Sequence, residues 1–92
     1  MVLTMITNQT LIEFPCDFPL KIIGSNAIDF ISNIMTIVRK HFVDTPDNNF
    51  IHKESARGNY ISLTVTVYTY NQSSLDSLYH ELIQYPGIKM VL

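Results

Sequence analysis

The sequence predicts one small α+β domain with the element order β, α, β, β, α, β, and three observations carry the prediction. Apolar residues alternate with polar and aromatic ones through Tyr60–Tyr70, the period of a half-buried strand. Two other stretches, Ala27–Phe42 and Leu75–Leu82, repeat their apolar residues at helical spacing. The three glycines, Gly24, Gly58 and Gly87, each fall at a junction between such stretches.

The elements follow in order. Residues 1–17 read as an irregular lead-in, because Pro15 and Pro19 disfavour both a helix and a central strand. Within it Met5 is a second candidate start, and Asn8-Gln9-Thr10 reads as a chance glycosylation match. The folded domain is expected over 18–92. Leu20–Gly24 reads as a short strand, with Leu20 and Ile22 on one side and Lys21 and Ile23 on the other. Ser25 and Asn26 are good helix N-caps, and Asp29 suits a helix N-terminus. The helix that follows places Ala27, Ile31, Ile34, Met35, Val38 and Phe42 on one stripe, with Arg39, Lys40 and His41 in its last turn.

Val43–Asn49 is a polar loop. Phe50–Ser55 is a weak strand whose His52, Lys53 and Glu54 suit a sheet edge, where charge discourages aggregation. Ala56-Arg57-Gly58-Asn59 supplies turn chemistry. The strand Tyr60–Tyr70 turns Ile61, Leu63, Val65 and Val67 one way and Tyr60, Ser62, Thr64, Thr66, Tyr68 and Tyr70 the other. Asn71 or Ser73 caps a second helix with the stripe Leu75, Leu78, Tyr79 and Leu82. Pro86-Gly87 ends it, and Ile88–Leu92 is a last short strand. Both helix stripes are buried if the helices cover one face of a four-stranded antiparallel sheet. That is a ferredoxin-like βαββαβ arrangement of order 4-1-3-2, with the two weakest strands at its edges.

Composition narrows the function classes. Lys and Arg total 6 against 8 Asp and Glu, a net charge of −2. Nucleic-acid binding usually needs a basic patch, so this balance argues against it and against adhesion to an anionic membrane. Cys16 is the only cysteine, so no internal disulfide forms and a reducing compartment fits. With no apolar run of transmembrane length and no secretory leader, the expectation is a cytoplasmic protein.

No catalytic constellation stands out. His41, His52 and His80 lie on three different elements without metal-ligand spacing, and no cofactor is expected. Asp17 beside Cys16 opposes thiolate formation. There is no Gly-x-Gly-x-x-Gly or Walker-type run. Acylphosphatases share the topology, but Gly24-Ser25-Asn26 lacks the arginine they need after the first strand. RNA-recognition domains share it too, and Tyr60 and Tyr68 on one strand face give that reading its only support.

The informative feature is the sheet face that no helix covers. Lys21, Ile23, Tyr60, Ser62, Thr64, Thr66 and Tyr68 are expected there, with Lys89 and Val91. It is too polar for a core and rich in tyrosine, a residue enriched at interfaces. Lys21, Ser62 and Thr64 offer donors to an anionic ligand or partner, and Gly58 and Asn59 shape the adjoining turn.

The residues Phe14-Pro15, Phe18, Lys21, Gly24, Ser55, Gly58-Asn59-Tyr60, Ser62, Leu78-Tyr79, Leu82 and Met90-Val91-Leu92 resemble the YbeD-like family of small bacterial proteins of uncharacterised function. The resemblance spans about Leu11–Leu92 and is most specific at Gly58–Ser62 and at the C-terminus. The chain departs from it in a longer N-terminal part and in Glu54. It implies a ferredoxin-like fold similar to ACT regulatory domains, which bind small ligands and pair through their sheets. The family's genes often neighbour those of lipoate attachment. The missing catalytic constellation and the uncovered polar-aromatic face lead to the expectation of a non-catalytic, ACT-like regulatory or adaptor domain that forms a homodimer. Its ligand or partner surface is Lys21, Ser55, Gly58, Asn59, Tyr60, Ser62, Thr64 and Tyr68.

Overall fold

The computed structural model describes residues 13–92, so the expectations for residues 1–12, including Met5 and Asn8-Gln9-Thr10, lie outside the described residues. The elements are β1 (Cys16–Ser25), α1 (Phe30–His41), a 3₁₀ turn (Asp47–Asn49), β2 (Phe50–Glu54), β3 (Tyr60–Thr69), α2 (Gln72–Ile83) and β4 (Ile88–Val91). The sheet is antiparallel throughout, in the order β2-β3-β1-β4, which is the expected 4-1-3-2 seen from the other edge. Both helices cover the face that carries Leu20, Ile22, Ile61, Leu63, Val65 and Val67, and these pack with Phe30, Ile34, Val38, Leu75, Leu78 and Leu82.

β1 is twice as long as the sequence suggests. It starts at Cys16, inside the expected lead-in, and it runs through Pro19. The register explains how a proline is tolerated in a strand lying between two others. Lys21 exchanges backbone hydrogen bonds with Leu92 at 3.1 and 2.8 Å, so odd-numbered backbone groups of β1 point toward β4. Pro19 therefore turns its missing N–H to the β4 side, beyond the end of that strand, and pairing with β3 is undisturbed.

α1 starts later than its apolar pattern implies. Asn26 caps no helix. Its side chain donates to Gly58 O at 2.9 Å and its backbone N–H to Asn59 O at 3.2 Å, which ties the end of β1 to the β2–β3 turn. Ala27 is exposed, and the helix begins at Phe30, after Asp29, whose side chain makes no cap bond. Phe30, absent from the expected stripe, is the largest fully buried side chain. Gly24 makes room for it: a β-carbon there would lie 2.5 Å from Phe30 Cζ and 2.9 Å from Gly87 O. α2 is capped as expected, Asn71 Oδ1 accepting from Ser74 N at 2.9 Å.

Tyr79 lies at the margin of the α2 stripe, 43% exposed, and its hydroxyl donates to Val91 O at 3.2 Å. β4 differs from expectation in one respect. Val91 pairs with Ile22 and is buried in the core, so it does not reach the open face. Met90, opposite Ile23, occupies that face instead. Between Ile23↔Met90 and Gly24↔Ile88 the register skips Lys89, which sits in a bulge without a cross-strand partner.

Candidate functional site

The pairing of β3 with both neighbours lays out the open face row by row. Lys53, Ser62, Ile23 and Met90 form one row across all four strands. Ile51, Thr64 and Lys21 form the next, and Thr66 faces Pro19 in the one after it. Cross-strand neighbours share a face, so each row is a line of touching side chains. Ser62, Thr64 and Thr66 are half-buried by their neighbours, while Tyr60 and Tyr68 stay about half exposed at the two ends.

Lys21, Ser55, Tyr60 and Ser62 come together. With Ile23 and Lys53 they line an open hollow of about 490 Å³. Its rim is rigid. Ser55 N–H donates to Tyr60 O at 2.9 Å, Ser55 Oγ accepts from Tyr60 N at 3.2 Å, and Gly58 N–H donates to Ser55 O at 2.9 Å. Gly58 takes φ +74°, a conformation side chains rarely adopt, which closes the turn. Gly58 and Asn59 thus shape the turn, held by Asn26, and do not line the hollow. Thr64 lies one row further on, opposite Lys21.

Tyr68 does not join this group. It stands eight residues from Tyr60 on one strand, roughly 27 Å away at about 3.4 Å per residue. It stacks edge-to-face on Tyr70, with ring centroids 5.3 Å apart. The two tyrosines, with His41, Phe42, Val43 and Ser74, line a separate hollow of about 270 Å³. Two rings so far apart cannot stack neighbouring bases, and the RNA reading loses the platform that motivated it.

The residue that sequence reasoning placed only at an edge is Lys53. Hairpin register would have found it: if Ser55 pairs with Tyr60 across the turn, Lys53 falls opposite Ser62 and on the tyrosine-bearing face. Charge is divided between the two sides of the sheet. Among the described residues the ion pairs lie on the helical side, Arg39 with Asp47 at 2.6 Å and Lys40 with Glu81, and His41 is hydrogen-bonded to the same Glu81 carboxyl at 2.9 Å. The hydrogen bonds from Lys40 and His41 hold the Glu81 carboxyl below its ordinary range. Lys21 and Lys53 enter none of these pairs. No group of three or more His, Cys, Asp or Glu gathers among the described residues, and no helix there is long and apolar enough to cross a membrane.

A family model described as "Protein of unknown function (DUF493)" matches residues 9–92. The chain belongs to the DUF493 family. Its relatives bear the name UPF0250 protein, and these are the YbeD-like proteins that the motifs resemble. The relative from Nitrosomonas europaea is 38% identical over 86 residues, covering 94% of this chain and 99% of its own. That from Chromobacterium violaceum is 42% identical over 84 residues, covering 91% and 94%.

Among solved structures, an H. pylori protein determined in solution superposes with a TM-score of 0.68 at 18% identity, over 88% of this chain and 85% of its own. The crystal structure of the ACT domain from the GTP pyrophosphokinase of Chlorobium tepidum gives 0.62 at 21% identity, over 84% and 97%. At such identities the likeness establishes that this DUF493 chain has an ACT-like fold and nothing about what it binds.

Proposed function

We propose that this DUF493 domain is a non-catalytic, ACT-like regulatory or adaptor module that binds a small ligand or a partner through its open sheet face. One observation carries the reading. The uncovered face presents two lysines outside every ion pair of the described residues, beside hydroxyls and an apolar floor, while Arg39 and Lys40 on the helical side are paired with Asp47 and Glu81. The hollow offers donors but brings no general base and nucleophile together, so it suits recognition better than turnover. The ACT-like neighbours are in keeping with such a role.

Pairing of two copies belongs to the same proposal. The pairing we propose runs through a sheet edge, where unpaired backbone groups are available, and leaves the face open.

A thermal-shift screen against amino acids, lipoate and octanoate tests the reading, with binding mapped by backbone amide NMR and the oligomer measured by light scattering. The expected result is a stabilising ligand whose shifts centre on Lys21, Lys53, Tyr60 and Ser62. A protein that no ligand stabilises and that is strictly monomeric would refute it, as would a ligand whose shifts avoid the sheet face.

A further inference from the structure

We infer that the hollow between Lys21 and Lys53 binds a small organic anion, one acidic group joined to a short apolar or planar part. The inference rests on the open-face reading above and names the ligand class of that same site. Lys21 on β1 and Lys53 on β2 flank β3 one row apart, opposite Thr64 and Ser62. Strand spacing and rise place their Cα atoms about 12 Å apart. Both side chains are long and flexible, and both line the hollow, so an acidic group above Ser62 is within reach of both ammonium groups. There the Ser62 hydroxyl, which among the described residues donates only a long 3.4 Å hydrogen bond to Lys53 O, becomes a donor for an acidic group by exchanging that bond.

Among the described residues no acidic side chain forms an ion pair with either lysine. Glu54 borders the hollow, but it pairs with Ile61, which is buried in the core, so its side chain belongs to the opposite face. Asp17 shares the face with Lys21 but stands four residues along β1, roughly 13 Å away, opposite Tyr68. The positive charge is thus concentrated at one end of the face.

The rest of the lining is apolar or planar. Ile23 is the floor, Tyr60 is a half-exposed wall at the turn end, and Met90 extends the floor across β4. Anchoring by charge-assisted hydrogen bonds, with apolar contact beside them, selects an organic acid over inorganic phosphate and over a neutral molecule of the same shape.

Amide-detected NMR titration of the full chain with 3-phenylpropionate, phenyl phosphate, inorganic phosphate, 3-phenylpropionamide and 3-phenylpropylamine tests the inference. The expected result is saturable binding of the carboxylate or the phosphate ester, with the stronger of the two showing which acid the site prefers. The neutral amide, the amine and inorganic phosphate should each bind at least about tenfold more weakly. Lys21→Met and Lys53→Met should each weaken the organic acid about tenfold, the double variant should abolish binding, and Tyr68→Ala should leave it unchanged. Lys21→Arg should retain most of it, which separates lost charge from lost fold. Equal binding of amide and carboxylate, or tighter binding of the amine at this face, would overturn the anion inference while sparing the open-face reading. Binding of the acids at the Tyr68–Tyr70 hollow alone, or at no site, would overturn the anion inference, whereas the open-face reading falls only by its own ligand screen and oligomer measurement.

Discussion

Replacing Gly24 by alanine tests the packing on which the whole arrangement turns. A β-carbon at this position would lie 2.5 Å from Phe30 Cζ and 2.9 Å from Gly87 O. Carbon atoms rest at about 3.5–4.0 Å, so the ring would have to retreat by about 1 Å. It has nowhere easy to go. Phe30 is 1% exposed and meets the Tyr85 ring edge-on at 6.1 Å. The carbonyl on the other side is held as well, since Gly87 O accepts from Ser25 N at 2.9 Å where β1 meets β4.

Overpacking of this kind costs about 1–3 kcal/mol. Alanine recovers about 0.5–1 kcal/mol of the backbone entropy that glycine loses in a strand. The expected net loss is about 1–2 kcal/mol, which for a domain of this size lowers Tm by roughly 5–15 °C. Urea denaturation monitored by circular dichroism measures it directly. Phe30→Leu in the Gly24→Ala background should return part of the loss, with a coupling of about 1 kcal/mol in the double-mutant cycle. A Gly24→Ala protein as stable as the parent, or strictly additive effects in the cycle, would refute the close approach of α1 to β1.

Three further outcomes follow from side-chain partners. Arg39 donates to Thr45 O at 3.0 and 2.8 Å and to Asp47 at 2.6 Å, and it lies 5.0 Å from the Phe50 ring, so Arg39→Lys should lose the fork and destabilise by about 1–2 kcal/mol in urea melts. Asn71→Ala removes the cap of α2 and should cost about 1 kcal/mol, whereas Asp29→Ala removes no cap bond and should stay within about 0.5 kcal/mol in the same assay. The Glu81 carboxyl is held below its ordinary range, so its contribution is present above the unfolded value of about pH 4.3 and is lost as pH falls through the lower folded value. Denaturation midpoints between pH 6 and pH 3 should therefore fall less in Glu81→Gln than in the parent.

The buried side of this protein was legible because periodicity reports it directly. Ile61, Leu63, Val65 and Val67 alternate without interruption, and Leu75, Leu78 and Leu82 keep helical spacing, so strand, helix and core face could each be read locally. The misreadings share one cause, which is information held by a neighbour in space. Pro19 fits β1 only because β4 stops short of it. Asn26 serves the β2–β3 turn instead of the helix beside it, and Val91 faces the core through its pairing with Ile22.

The candidate site belongs to this second kind. Lys21, Ser62 and Tyr60 were placed correctly on one face by parity, yet parity alone also enrolled Tyr68, at the far end of the strand. Lys53 went unrecognised although it stands directly across from Ser62. A surface site on a sheet is assembled along the hydrogen-bonding direction, from residues on different strands, and its members carry no common period. The one route from sequence to such a site runs through hairpin register. In this chain the short Ser55–Tyr60 turn fixes that register, and it makes Lys53 the residue whose substitution best separates a recognition face from a merely solvated one.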